Sequence, residues 1–257
     1  MAVKNNNKNN KKVNILICSI AVVLIVSVII SVVSISNSRK LPPQLYNFDK
    51  DIAVGIDVSE HNKEIDWDKL KSQIDFVFIR VGYRGYGNGK IAEDKNAKEN
   101  MKNARKAGIP FGVYFYSQAV SVKEAKEEAE FTLDMIKKFD VSLPVIIDFE
   151  YAVDGDGHHT GRLAEANLTA EQNTDIINSF CEKAADKGYT AGVYASSSVL
   201  YREIDTDDLD DNTVIWAADY NDKVTFDVEY SIWQYSRTGT LDGIGSKYVD
   251  LNYWYKK

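Results

Sequence analysis

The chain has 257 residues, 27% charged and 44% hydrophobic, which suits one large domain or two small ones; with only four prolines it argues against a disordered or fibrous protein. The formal charge of −7 is unevenly spread: residues 1–36 hold four lysines (Lys4, Lys8, Lys11, Lys12) and no acid, so the remainder carries 27 basic and 38 acidic residues, a net −11. An acidic body lacks the basic surface that nucleic-acid binding requires, so no nucleic acid is expected as a partner.

In chain order, residues 1–12 are a polar tail rich in lysine and asparagine. Residues 13–35 are 23 uncharged residues dominated by Ile, Val and Leu. As a helix they span roughly 34 Å, enough for a bilayer core. The lysines before them predict a cytoplasmic N-terminus and a C-terminal domain outside the cell, held by a single-pass signal anchor. The alternative is a signal peptide cleaved near Ser36, against which the length of the apolar run speaks. Residues 36–51 form a linker in which Pro42 and Pro43 block helix continuation. Residues 52–257 are the expected folded domain. Cys18 lies in the apolar run and Cys181 in this domain, so no disulfide within it is expected, and no Cys/His cluster has zinc-site spacing.

Within the domain, short β-rich runs alternate with helical patterns. Strands are expected at 53–58, 76–83, 111–117, 144–150 and 190–195, and helices at 67–73, 92–107, 122–139 and 169–187, two of them stopped by Gly108 and Gly188. This alternation implies parallel strands joined by crossover helices. It then ceases: 214–220, 230–235 and 248–252 are strand candidates with no long helix between them. The expected fold is α/β, an irregular TIM-like (β/α)5(β)3 barrel preceded by one transmembrane helix. The rival, an open doubly wound sheet, lacks the glycine-rich dinucleotide fingerprint after its first strand, where IDVS stands. The glycine-rich stretch at 85–89 lacks the Lys-Ser/Thr of a phosphate loop and reads as a flexible loop.

The sharpest local feature is Asp148-Phe149-Glu150, closing the apolar run PVIIDFE. Side chains at i and i+2 share one face of a strand, and barrel active sites lie at the C-terminal ends of strands. Asp57 closes the first strand and Asp250 lies in the last, so closure of the barrel would bring those two together, facing Asp148 and Glu150. Four carboxylates around one cleft raise at least one pKa by mutual repulsion, which is how a glycoside hydrolase keeps a general acid protonated near neutral pH. Glu150, with the longer reach, is the expected acid. Tyr83, Tyr114, Tyr116, Tyr194 and Trp216 lie in strand candidates and suit stacking on sugar rings; Gln234 is a candidate polar contact. Arg80 interrupts an apolar strand and is expected to pair with a cleft carboxylate. The DGDGHH stretch at 154–159 superficially suggests a metal loop but lacks the pattern of a calcium site, so no metal and no cofactor are expected.

These residues resemble glycoside hydrolase family 25, the Chalaropsis-type lysozymes or N-acetylmuramidases. The matching pieces are GIDVSEHN at 55–62, IDW at 65–67, FIRVGY at 78–83, AGIPFGVYFYS at 107–117, LPVIIDFE at 143–150, GVYAS at 192–196, IWAADY at 215–220, WQYS at 233–236 and VDLN at 249–252. They run in order across residues 52–257. The resemblance implies a bacterial (β/α)5(β)3 barrel acting on peptidoglycan, cleaving the β-1,4 bond from N-acetylmuramic acid to N-acetylglucosamine. It also implies Glu150 as general acid with Asp57, Asp148 and Asp250 around it. Either an aspartate or the substrate's own 2-acetamido group is the nucleophile, the second route having Asp148 orient that group. Two departures stand out. Asp219 occupies a position where many relatives carry a different polar residue, which marks it as a substrate contact. The stretch 151–167 is longer than a minimal βα loop and is expected to form cleft wall. The other readings are a glycan-binding module without hydrolysis and another endo-acting glycan hydrolase.

Overall fold

Alternation of side chains along eight strands, interrupted by bulges after Arg80 and Gln234, builds the domain. Inward positions carry aromatics at one end of the barrel and polar groups at the other, while outward positions carry Val, Ile and Phe that pack under helices. The computed structural model describes residues 48–256; the expected tail, membrane segment and nearly all of the linker lie outside the described residues. Among the described residues no helix is long and apolar enough to cross a membrane.

The chain runs β1 (Ile52–Val58), α1 (Trp67–Leu70), β2 (Phe76–Arg84), β3 (Ile91–Glu93), α2 (Ala97–Ala107), β4 (Phe111–Ser117), α3 (Val122–Ile136) and β5 (Val145–Phe149). A small hairpin of β6 (Ala152–Val153) and β7 (His159–Thr160) leads into α4 (Gly161–Glu165), followed by α5 (Ala170–Ala185), β8 (Ala191–Ser196) and α6 (Ser197–Arg202). Then come β9 (Val214–Ala218), β10 (Ile232–Gly239) and β11 (Val249–Tyr255).

The barrel order is β1, β2, β4, β5, β8, β9, β10, β11, and it closes through β1. Neighbours from β1 to β10 pair in parallel, whereas β11 runs antiparallel to both β10 and β1. The seam puts Ile52 opposite Tyr255 at one end and Asp57 opposite Asp250 at the other. This is the eight-strand mixed α/β barrel expected from the sequence.

Two apolar clusters hold it together. Inside the barrel, Phe76, Phe78, Ile146, Trp216 and Trp254 fill the axis, with Phe78 and Trp216 rings 4.6 Å apart and Phe48 packed on Phe76 and Trp254. Outside it, Val77, Ile79, Val113, Phe115, Ile147 and Val193 meet Met101, Ala125, Ile177 and Phe180 of the helices. The longer helices are capped as their sequences dictate. Ser121 Oγ accepts the Glu124 N–H at the start of α3, and Thr169 with Gln172 forms a capping box at the start of α5.

Three expectations need correction in detail. The helix expected over 92–107 starts only at Ala97, because Ile91–Glu93 pairs antiparallel with the end of β2. The last two strands extend past their expected ends, to Gly239 and Tyr255. The helix expected over 67–73 ends at Leu70.

Candidate active site

The polar end of the barrel opens into a cleft of about 930 Å³ whose wall includes Asp57, Asp148, Glu150 and Asp250. All four come from strand ends at this mouth. Asp57 and Asp148 are the next inward residues beyond the apolar filling on β1 and β5, and Glu150 follows two positions later. Asp250 reaches the mouth from the start of β11, because that strand runs in the opposite direction. The sequence argument placed it correctly without foreseeing this reversal.

The acids differ in their partners. Asp57 is buried, and its Oδ2 accepts Gln234 Nε2 and Asn252 Nδ2, each at 2.9 Å. It also shares a hydrogen bond with Asp250. Burial raises the Asp57 pKa, and the three hydrogen bonds oppose that rise. Asp250 is raised to about 8, by burial first and then by the Asp57 charge beside it. Both acids of this pair are thus held above the ordinary carboxylate range. Asp148 lies between Tyr116 of β4 and Tyr194 of β8 in the strand register, is buried, and its Oδ1 has no hydrogen-bond partner. Its pKa is well above the ordinary value, through burial, then Glu150, then Asp57. Glu150 is raised from 4.5 to about 7 by burial and next by the Asp57 charge.

The remaining predicted residues divide into two groups. Arg80, Tyr83, Tyr114, Tyr116, Tyr194, Trp216 and Gln234 all line the cleft. Gln234 is its hub: Oε1 accepts the hydroxyls of Tyr194 (2.9 Å) and Tyr220 (2.8 Å) while Nε2 reaches Asp57. Trp216 is only 1% exposed, packed on Phe78 and Tyr194, with Nε1 donating to Asn252 Oδ1. It forms the base of the cleft and offers no free ring face for stacking. Tyr114 is likewise packed edge-on against Trp216.

Arg80 meets an expectation in part. It does pair with a carboxylate of the cleft wall, Glu60 at 3.6 Å, but its main partner is Asp94, at 2.8 Å from Nε, and none of the four acids singled out from the sequence. Asp94 is fully buried beyond β3 and also accepts the backbone N–H groups of Glu60 and Asn96. Asp219 corrects another. It lies off the cleft wall, and its carboxylate accepts hydrogen bonds from Ser197, Asn221 and Thr225, folding the turn after β9. Burial would raise its pKa, but these bonds outweigh it and hold it at about 2. A carboxylate so occupied has no oxygen left for a sugar. The 154–159 stretch bends into an exposed turn where Asp154, Asp156 and His158 come within 4.8 Å of one another. Asp154 Oδ1 there accepts the N–H groups of Asp156 and His158.

Asn252 was missed by the sequence reading, although the rule that singled out Asp148 and Glu150 also finds it: Asp250 and Asn252 stand at i and i+2. Asp94 carried no such signal, since its part depends on long-range approach.

The model for glycosyl hydrolases family 25 matches residues 56–244. The chain belongs to glycosyl hydrolase family 25. The modular autolysin LytC of Streptococcus pneumoniae, solved with a synthetic peptidoglycan ligand, superposes with a TM-score of 0.67 at 29% identity over 79% of this chain. The family 25 chain described here spans 47% of that structure's chain. A family 25 glycosyl hydrolase of Bacillus anthracis shares the fold at 24% identity and TM-score 0.64, over 82% of this chain and 93% of its own. A bacterial lysozyme of Streptomyces coelicolor does so at 23% and 0.61, over 78% and 90%. No curated protein sequence matches at a significant level.

Proposed function

We propose that this family 25 protein is a peptidoglycan hydrolase, a muramidase that cleaves the β-1,4 bond between N-acetylmuramic acid and N-acetylglucosamine, with Glu150 as general acid. The observation that carries the reading is Glu150 beside Asp57, Asp148 and Asp250 at the mouth of a tyrosine-lined cleft, where burial pushes its pKa up to about 7. LytC, at 29% identity, is an autolysin solved with a peptidoglycan ligand, which supports the same substrate here.

The geometry favours attack by the substrate's own 2-acetamido group. Asp57 is a poor nucleophile, because its Oδ2 accepts two amide N–H groups and its carboxyl is also hydrogen-bonded to Asp250. Asp148 has a buried oxygen without a partner, which suits the N–H of an acetamido group. In this route the acetamido oxygen bonds to C1, the C1–O glycosidic bond breaks, and Glu150 gives its proton to the leaving oxygen. Asp148 Oδ1 accepts the acetamido N–H and so orients that group, the proton staying on nitrogen. Water then opens the ring so formed at C1, returning its proton to Glu150.

The test uses the purified full-length protein and bacterial peptidoglycan, with new reducing ends trapped by borohydride and identified by mass spectrometry. Reduced muramic acid, absent with Glu150→Gln, is the expected product. Reduced glucosamine ends alone would move the cut to the other bond, and no new ends would leave a glycan-binding module.

We also infer that residues 13–35 anchor the protein in the cell membrane with the barrel outside, where peptidoglycan lies. The length and apolarity of that run and the lysines before it support this. Protease added to intact cells would then remove the barrel; a protected barrel would overturn the orientation, and full release into the medium would favour cleavage near Ser36.

A further inference from the structure

Tyr86 is the most exposed aromatic on the cleft wall, at 56%. It stands in the glycine-rich loop after β2, which the sequence marked only as flexible. The structure shows that loop held from two sides. On one side Arg162 N donates to Tyr86 O at 2.9 Å. Gly161 before it has φ +81°, and a Cβ there would meet Tyr86 O at 3.0 Å and Tyr86 Cβ at 3.1 Å, so the close seat requires glycine. The Arg162 guanidinium grips Glu124 through both terminal nitrogens, each at 2.8 Å, and donates to Gln118 O at 2.9 Å. Gln118 Nε2 in turn donates to Glu150 O at 2.8 Å. On the other side Arg84 Nη1 donates to Gly89 O at 2.9 Å, while its Nε meets the buried Glu128 at 2.6 Å.

One frame therefore ties the loop of Tyr86, the start of α3 and the backbone of Glu150 together. Arg162 belongs to the connection that follows the strand of Asp148; that stretch was expected to form cleft wall, but none of its residues lines the cleft, and it stands behind the wall instead. A fixed backbone under a solvent-facing ring is an arrangement that binds a flat partner without first ordering a loop.

We propose that Tyr86 stacks on a sugar ring of the bound glycan strand, and that Arg162 is the positioning residue that holds it there. The identity of the ligand rests on the hydrolase reading above; the geometry of the wall does not.

The test measures the affinity of peptide-free glycan strands, prepared from peptidoglycan, by calorimetry on full-length protein carrying Glu150→Gln so that bound strands survive. Tyr86→Ala is expected to weaken binding about tenfold, and Tyr86→Phe to stay within about twofold, since stacking needs the ring and not the hydroxyl. Arg162→Met is expected to weaken binding by a similar factor when Tyr86 is present and to add nothing once Tyr86→Ala is in place. Should Arg162→Met not fold, Glu124→Gln breaks the same ion pair from the other end and takes its place. Unchanged affinity in Tyr86→Ala, or an Arg162 effect that persists without Tyr86, overturns the proposal. Release of reducing ends from the same strands by the native protein separates the two readings. Strands bound through Tyr86 but left uncut would sink the hydrolase and leave this inference standing. Strands cut by a protein indifferent to Tyr86 would do the reverse.

Discussion

The floor and the mouth of the barrel are built by the same strands, two or three inward positions apart, and they follow opposite rules. At the floor, Phe76, Phe78 and Trp254 are at most 3% exposed, and their rings meet edge-on or stacked. At the mouth, Asp57, Asp148 and Asp250 crowd with Glu150 and all four have raised pKa values. The floor contributes stability through burial; the mouth gives some of it back by holding acids where charge is costly. Activity and stability are thus stored at opposite ends of one axis, and a substitution reveals which end it belongs to.

The largest effect expected at the mouth is that of Glu150→Gln on the reaction. Loss of the proton donor should lower kcat about a thousandfold while glycan affinity stays, as measured by reducing-end release and calorimetry. At the floor, Trp254→Ala should cost about 3–5 kcal/mol in urea denaturation, the cost of emptying a well-packed aromatic site, with kcat per folded molecule kept. If it lowered kcat as strongly as Glu150→Gln, the division between the ends would fail. Smaller is the stabilising side of Glu150→Gln. The native glutamate has its pKa raised from 4.5 to about 7, so its favourable protonated state is present below pH 4.5 and lost as pH rises through 7. The glutamine variant should therefore be more stable in urea denaturation above pH 7, by about 3 kcal/mol at most, with no gain at pH 4. The smallest effect is that of Asn252→Ala, which takes one N–H from Asp57 and leaves Trp216 Nε1 without its acceptor. About 1–3 kcal/mol of stability and a several-fold fall in kcat are expected, the first by denaturation and the second by initial rates.

Period-two alternation made most of this legible beforehand. Asp148 and Glu150 read as sharing one strand face without any coordinates, and the loss of long helices after residue 196 announced the bare last strands. What escaped the sequence was pairing over distance. Arg80 meets Asp94 because β3 folds back on β2, and nothing local announces that return. Asp219 looked available for a sugar because a sequence does not show that Ser197, Asn221 and Thr225 converge on it. The reversal of β11 was hidden for a related reason: a strand has the same alternation read in either direction.

That reversal has a topological consequence. Because β11 returns to the floor, Ile52 and Tyr255 are partners on adjacent strands, and Lys256 N still bonds Asp51 O at 2.9 Å. The barrel is a nearly closed loop of chain. A short linker across that seam, with new ends opened in the exposed turn at 154–157, would give a circular permutant with every barrel pairing intact.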